Sequence, residues 1–225
     1  MNCSFICSLN CRKDCCGVVL RTNVEKTFDA ILGIADNAAT GRGQVLKLEF
    51  YEQGLKQAAT SEDRTTTIAL IEKMLDPAQD LFTSVEKVST SLSRSDEFFT
   101  LLIHDLFSCP CIELTVLQKA DFIDKTQTLV NDYTAVRKMI NKDFINGIIA
   151  IQNNIRNISI ALYQTSIDWI AIQASVVDIQ KLINKYLIDE PNFKTLYQKY
   201  QDDFFEFFRV LSRNQLMNPC KPDRK

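Results

Sequence analysis

From Ile112 to Glu190 the chain runs 79 residues without a proline and with a single glycine, Gly147, while apolar residues recur at helical spacing. Only long α-helices combine such a period with so few breakers. Val136, Ile140, Phe144, Ile148, Ile151, Ile155, Ile158 and Leu162 step by four, four, four, three, four, three and four. That spacing keeps one stripe facing one way for about seven turns. The fold class it predicts is all-α: an elongated antiparallel bundle of five to seven helices, with long coiled-coil-like helices. Helical architecture by itself names no activity.

Composition narrows the classes further. The 225 residues suit one elongated domain or two small ones, with 46% hydrophobic residues, 24% charged, 6 Gly and 5 Pro. So little Gly and Pro excludes disorder, collagen and a loop-rich all-β fold. Net charge is −2, with 26 basic residues interleaved among 28 acidic ones. No basic stripe carries spaced aromatics, so nucleic acid is not an expected partner. Lys221, Arg224 and Lys225 read as a solvated terminus. No secretory leader is visible at Met1–Leu9. The expectation is a cytoplasmic protein, membrane-associated if its cysteines are acylated.

The domain reading is a cysteine-rich, poorly ordered tail over 1–21, a helical bundle over 22–213 and a polar tail over 214–225. Five of the eight cysteines crowd into the tail: Cys3, Cys7, Cys11, Cys15 and Cys16. Competing readings are a merely cysteine-biased tail, reversible S-acylation helped by Phe5, Ile6, Leu9, Arg12 and Lys13, and a metal site or disulfides. Asn2 excludes N-myristoylation, which needs glycine there.

Along the chain, Thr22-Asn23-Val24-Glu25 has the form of a capping box that starts a helix. Thr40-Gly41-Arg42-Gly43 reads as a loop, and Gln44 to Ala59 as a helix weakened by Gly54. Thr60-Ser61-Glu62-Asp63 restarts a helix in capping style. Its stripe, Ile68, Ile71, Leu75, Ala78, Phe82, Val85, Ser89 and Leu92, continues across Pro77 and favours a kinked helix over two separate ones. Ser95 would cap a shorter helix that Cys109-Pro110-Cys111 ends. Inside the long segment Asn146-Gly147 is the best break signal and Asn153-Asn154 the second. Glu190-Pro191-Asn192 is a firm stop before an aromatic helix ending near Arg213.

Catalytic residues are scarce. His104 is the whole imidazole supply, and it reads as a buried helical histidine. Without a second histidine, neither an Glu-x-x-His di-iron site nor a His-x-x-x-His zinc site can form. A Cys–His nucleophile pair with Cys109 or Cys111 would straddle different helix faces. The readings are no enzyme, no catalytic residue, no cofactor and no metal.

The stretch from Asn157 to Val177 contains one charge, Asp168, and is apolar on several faces. Such a helix is central in a bundle or inserted in lipid; Asp168 at its midpoint would cost ~3 kcal/mol in a bilayer, so the central bundle helix is the default. Long rods with one over-apolar helix and a late Asp168-Trp169-Ile170 segment resemble the architecture of α-helical pore-forming toxins. That resemblance carries no residue's role. It implies that residues 148–179 could leave the bundle for lipid, with Ile158, Leu162, Ile167, Trp169, Ile170 and Val176 as the membrane-active set. The first functional expectation is a non-catalytic interaction or scaffold protein that binds a protein partner or itself through helical seams. The membrane-active protein is the alternative, with a membrane surface as partner.

Overall fold

The computed structural model describes residues 12–108, 115–189 and 192–213, and among them the fold is all-α, with no strand. The helices are α1 (Arg12–Thr60), α2 (Arg64–Ser108), α3 (Val116–Met139), α4 (Lys142–Leu162), α5 (Trp169–Ile183) and α6 (Phe193–Arg213). A π-helical turn, Asn184–Ile188, continues α5.

Two compact units share these helices. One is built from α1 up to Ala35, from Thr90–Tyr133 and from α6 from Tyr200 onward; the other from Asp36–Ser89 and Thr134–Lys199. In the first, an aromatic cluster forms the core. Phe99 stacks on Tyr133 at 5.5 Å and meets Phe207 at 6.5 Å, while Phe122 lies 5.9 Å from Phe207. In the second, aliphatic side chains of α1, α2, α4 and α5 predominate, with Phe144, Phe193 and Tyr197 joined in an aromatic chain.

Burial follows heptad spacing. On α1 one seam of covered positions runs through Val24, Thr27, Ile31 and Ile34 in the first unit, then Ala38, Gly41, Val45, Leu48, Glu52, Leu55 and Ala59 in the second, with Ala35, Gln44 and Ala58 buried beside it. These steps alternate three and four without a break, the spacing that keeps a seam on one partner. On α2 the corresponding seam is Thr67, Ile71, Met74, Ala78, Leu81, Val85, Val88, Leu92, Ser95 and Phe99, with Pro77 and Ser84 buried beside it. The expected α2 stripe is therefore half right: Ile71, Ala78, Val85 and Leu92 are buried, whereas Ile68, Leu75, Phe82 and Ser89 lie on its half-exposed flank.

Hydroxyl residues can occupy seam positions because each bonds to its own helix. Thr27, Thr67, Ser95 and Thr126 donate to the carbonyls four residues back, at 2.7, 2.6, 2.8 and 2.7 Å. A buried hydroxyl satisfied in this way avoids the penalty of an orphaned polar group.

The α1–α2 turn stands where expected. Glu62 takes a positive φ of 55°, Asp63 N–H donates to Ala58 O at 3.0 Å and Glu62 N–H to Ala59 O at 3.3 Å. This is a Schellman closure with glutamate in the left-handed place. Asp63 then caps α2, its Oδ1 accepting from Thr66 N–H at 3.1 Å and its Oδ2 from the Thr66 hydroxyl at 2.6 Å. In the second unit Gly54 packs on Leu70 and Gln44 bonds to Asp80, pairs equally far from the turn, so α1 and α2 run antiparallel there.

Several expectations are overturned. Thr22 lies inside α1, not at its start; the reciprocal capping box is instead Thr115 with Gln118, at 2.9 and 3.2 Å. Gly41 and Gly43 form no loop. Gly41 is a seam position, where an added Cβ would stand 3.4 Å from Phe193 and 3.5 Å from Tyr197. Ser95 caps nothing and sits within α2, which also runs through Pro77. Neither Asn146-Gly147 nor Asn153-Asn154 breaks the long segment. Both lie in α4, and the breaks come at Ile140–Asn141 and over 163–168. Asn141 and Asp168 supply N-caps there, accepting from Phe144 N–H and Ala171 N–H at 2.9 and 3.0 Å. The supposed single helix Asn157–Val177 is consequently two helices and a turn. His104 is exposed, not buried. The last helix begins close to the expected Asn192, which the structure makes its N-cap, Oδ1 accepting from Thr195 N–H at 2.8 Å. Residues 1–11, 109–114, 190–191 and 214–225 lie outside the described residues, and with them Cys3, Cys7, Cys11, Cys109, Cys111, the Glu190-Pro191 stop and the polar tail.

Candidate functional sites: the α4–α5 turn and the α3–α4 cleft

Both sites belong to the second unit, and each is framed by a helix break lacking proline and glycine. At the α4–α5 turn, the residues predicted to act together divide. Ile158 and Leu162 on α4 and Val176 on α5 are buried; Ile167 and Trp169 are half-buried; Ile170 is 81% exposed. Two further residues join Ile170 on the outside, Ile160 and Tyr163, each 62% exposed. Ile160 and Tyr163 were not singled out for exposure in the sequence, because apolar spacing alone cannot tell a bundle's inner face from its outer one. Cys15 and Cys16 belong to α1.

The turn is tied down at several points. Tyr163 donates its hydroxyl to Glu72 Oε1 at 3.1 Å, and Gln173 Nε2 donates to Ala59 O at 3.0 Å. Accepting that hydrogen bond and adding its negative charge, Glu72 pushes the Tyr163 phenol above its ordinary range. Asp168, the one charge in the apolar stretch, has its carboxylate committed to the start of α5. A carboxylate at a helix N-terminus is stabilised by the free N–H groups and the helix dipole.

The second site is a cleft of about 490 Å³ beside the α3–α4 junction. Ala135, Met139, Phe144 and Leu196 form its apolar floor, while Lys138, Asn141, Asp143, Lys185 and Tyr186 supply polar groups. Its geometry starts at the π-helical turn, closed by Asp189 N–H donating to Asn184 O at 2.7 Å. The turn brings the Tyr186 ring against Gly147, into the space a Cβ would occupy. From there the Tyr186 hydroxyl donates to Asp143, 3.2 Å from both carboxylate oxygens, and accepts from Lys185 Nζ at 2.8 Å. Lys185 also stands 3.8 Å from Asp143. The Tyr186 oxygen, helped by Asp143, holds the Lys185 ammonium above its usual range. Sequence reasoning missed this cleft; Asn141 ahead of the Phe144, Ile148, Ile151 period was the available cap signal.

Among the described residues no three His, Cys, Asp or Glu side chains gather where a metal could be held. No described helix is long and apolar enough to cross a membrane. No protein-family model, no curated protein and no solved structure matches the chain.

Proposed function

We propose that the chain is a non-catalytic helical interaction protein that binds a partner helix or a second copy of itself, with the α4–α5 turn as the point of contact. The observation that carries this reading is the exposure of Ile160, Tyr163 and Ile170 within eleven residues, on a stretch from Asn157 to Val177 whose one charge is Asp168. Exposed apolar residues so concentrated are more typical of contact surfaces than of solvated ones. Anchoring by Glu72 and Ala59 supports the reading, since a preordered surface loses less entropy on binding.

Sedimentation equilibrium with photo-crosslinking from position 170 tests it. A concentration-dependent complex, or a discrete protein adduct, should disappear in Ile170→Glu while thermal stability is unchanged. A strictly monomeric chain giving no adduct would sink the reading.

A second reading, membrane activity, has its own support: Tyr163 and Trp169 flank the turn, and aromatic side chains with a polar edge favour the lipid–water boundary. Entry of residues 148–179 would require α4 and α5 to give up the burial of Ile151, Ile155, Ile172 and Ile179. Vesicle flotation and dye release, across pH and lipid composition, separate the two readings. Replacing Cys3, Cys7, Cys11, Cys15 and Cys16 by Ser in the same assay removes any contribution from acylation.

A further inference from the structure

We infer that the cleft beside the α3–α4 junction binds an amphipathic organic anion, its carboxylate or phosphate head between Lys138 and Lys185 and its short apolar part against Met139 and Phe144. This site is separate from the α4–α5 turn and does not depend on partner binding there.

Shape and lining argue together. A volume of about 490 Å³ falls among small-molecule sites, which combine an apolar floor with a few convergent polar groups. Met139 and Phe144 are buried side chains whose accessible edges line the cleft, and Ala135 and Leu196 continue the same surface. Phe144 is held from behind by Phe193, stacked at 5.4 Å, so the floor is fixed rather than collapsible.

Charge then selects the ligand. Two ammonium groups face one carboxylate. Asp143 already accepts from Tyr186 and lies within ion-pair distance of Lys185. Among the described residues Lys138 has no carboxylate partner, and its side chain is exposed. One positive charge is therefore uncompensated at the rim, which matches a monoanionic head. An uncharged ligand would leave that charge as it is, and a cation would be repelled. Tyr186 fixes the position of Lys185 and is itself fixed by Gly147, so the head-binding side is preordered. Regions with the π-helical form recur at functional sites for this reason: one extra residue re-aims the side chains that follow.

The test is calorimetric titration of the full chain with decanoate and with octyl phosphate, using decanol and decylamine as controls. Both anions should bind below their micellar concentrations, and the tighter of the two identifies the head group. Decanol and decylamine should bind at least tenfold more weakly. Lys138→Met and Lys185→Met, both at exposed side chains, should each weaken anion binding about tenfold. Binding should also shift the Met139 methyl resonance, identified by Met139→Leu. If Lys185→Met disturbs the fold by circular dichroism, Lys138→Met carries the test alone. Equal binding of decanol, unchanged affinity in the lysine variants, an unmoved Met139 signal, or no binding of either anion would each overturn the proposal.

Discussion

Tyr197 and Tyr200 take their hydroxyls into the interior of α6's buried face, and neither oxygen has a hydrogen-bond partner among the described residues. Burial pushes both phenols up, with Asp132 adding to the effect at Tyr200. An orphaned buried hydroxyl is penalised by about 1–3 kcal/mol. Tyr197→Phe should accordingly stabilise the protein by about 1 kcal/mol, read as a higher midpoint in urea with an unchanged slope. Glu52 presents a related case with a pH signature. It stands between Leu48 and Leu55 in the α1 seam, 7% exposed, with Oε1 unpartnered. Burial raises its carboxyl above the ordinary range, against a smaller opposing pull from Lys56. A raised folded-state value means the fold prefers the neutral form, so stability falls as pH rises from the unfolded value through the folded one. Glu52→Gln should melt higher than wild type at neutral pH, with the gap closing toward about pH 4. Thermal melts across that range check it, and a gap independent of pH would refute it. Asp63 has the opposite sign. The Thr66 hydroxyl and N–H hold its carboxyl down, so its contribution is present above the unfolded value and lost as pH falls through the folded one.

At the scale of elements, two glycines in helix interiors have opposite surroundings. Gly43 on α1 has open space where a Cβ would go, whereas Gly147 on α4 has the Tyr186 ring there. Gly43→Ala should stabilise by roughly 1 kcal/mol through helix propensity. Gly147→Ala should destabilise by about 1–3 kcal/mol through overpacking, with partial recovery in the double variant carrying Tyr186→Ala. Equal effects at the two positions would show that the notch is not tight. The same residues explain what the sequence could and could not reveal. The aromatic helix after Glu190-Pro191-Asn192 and the Thr60–Asp63 turn were legible because stop or cap chemistry agreed with the period. The α1 seam was not, because Thr27, Gly41 and Glu52 occupy positions where a pattern search expects aliphatics. Both breaks in the long segment were hidden by the reverse error: Asn141 and Asp168 are capping residues in an uninterrupted apolar run, and Asp168 reads first as a misplaced charge. The α4–α5 contact residues were legible as apolar but not as inner or outer. The α3–α4 cleft depends on a π-helical turn that leaves no period of its own.

For the molecule as a whole, low net charge governs association. The chain carries −2 at neutral pH and has a sequence pI near 5.5. Self-repulsion is therefore weak at pH 7 and smallest near the pI. If a second copy is the partner at the α4–α5 turn, light scattering should show association rising as pH approaches 5.5, and Ile170→Glu should suppress the rise.

The passage of α1 from one unit to the other at Ala35–Asp36 is continuous helix, and that has a consequence for how the chain comes apart. Helical backbone resists proteases, which need several residues of extended chain; exposed turn segments are the usual points of attack. At Ala35–Asp36 a protease meets no linker. The exposed run Gln164–Ser166 is a better substrate. A nick there would leave two fragments still interlocked by the buried face of α4 against α5, so the cut chain should run as one particle on sizing and as two bands only under denaturing conditions.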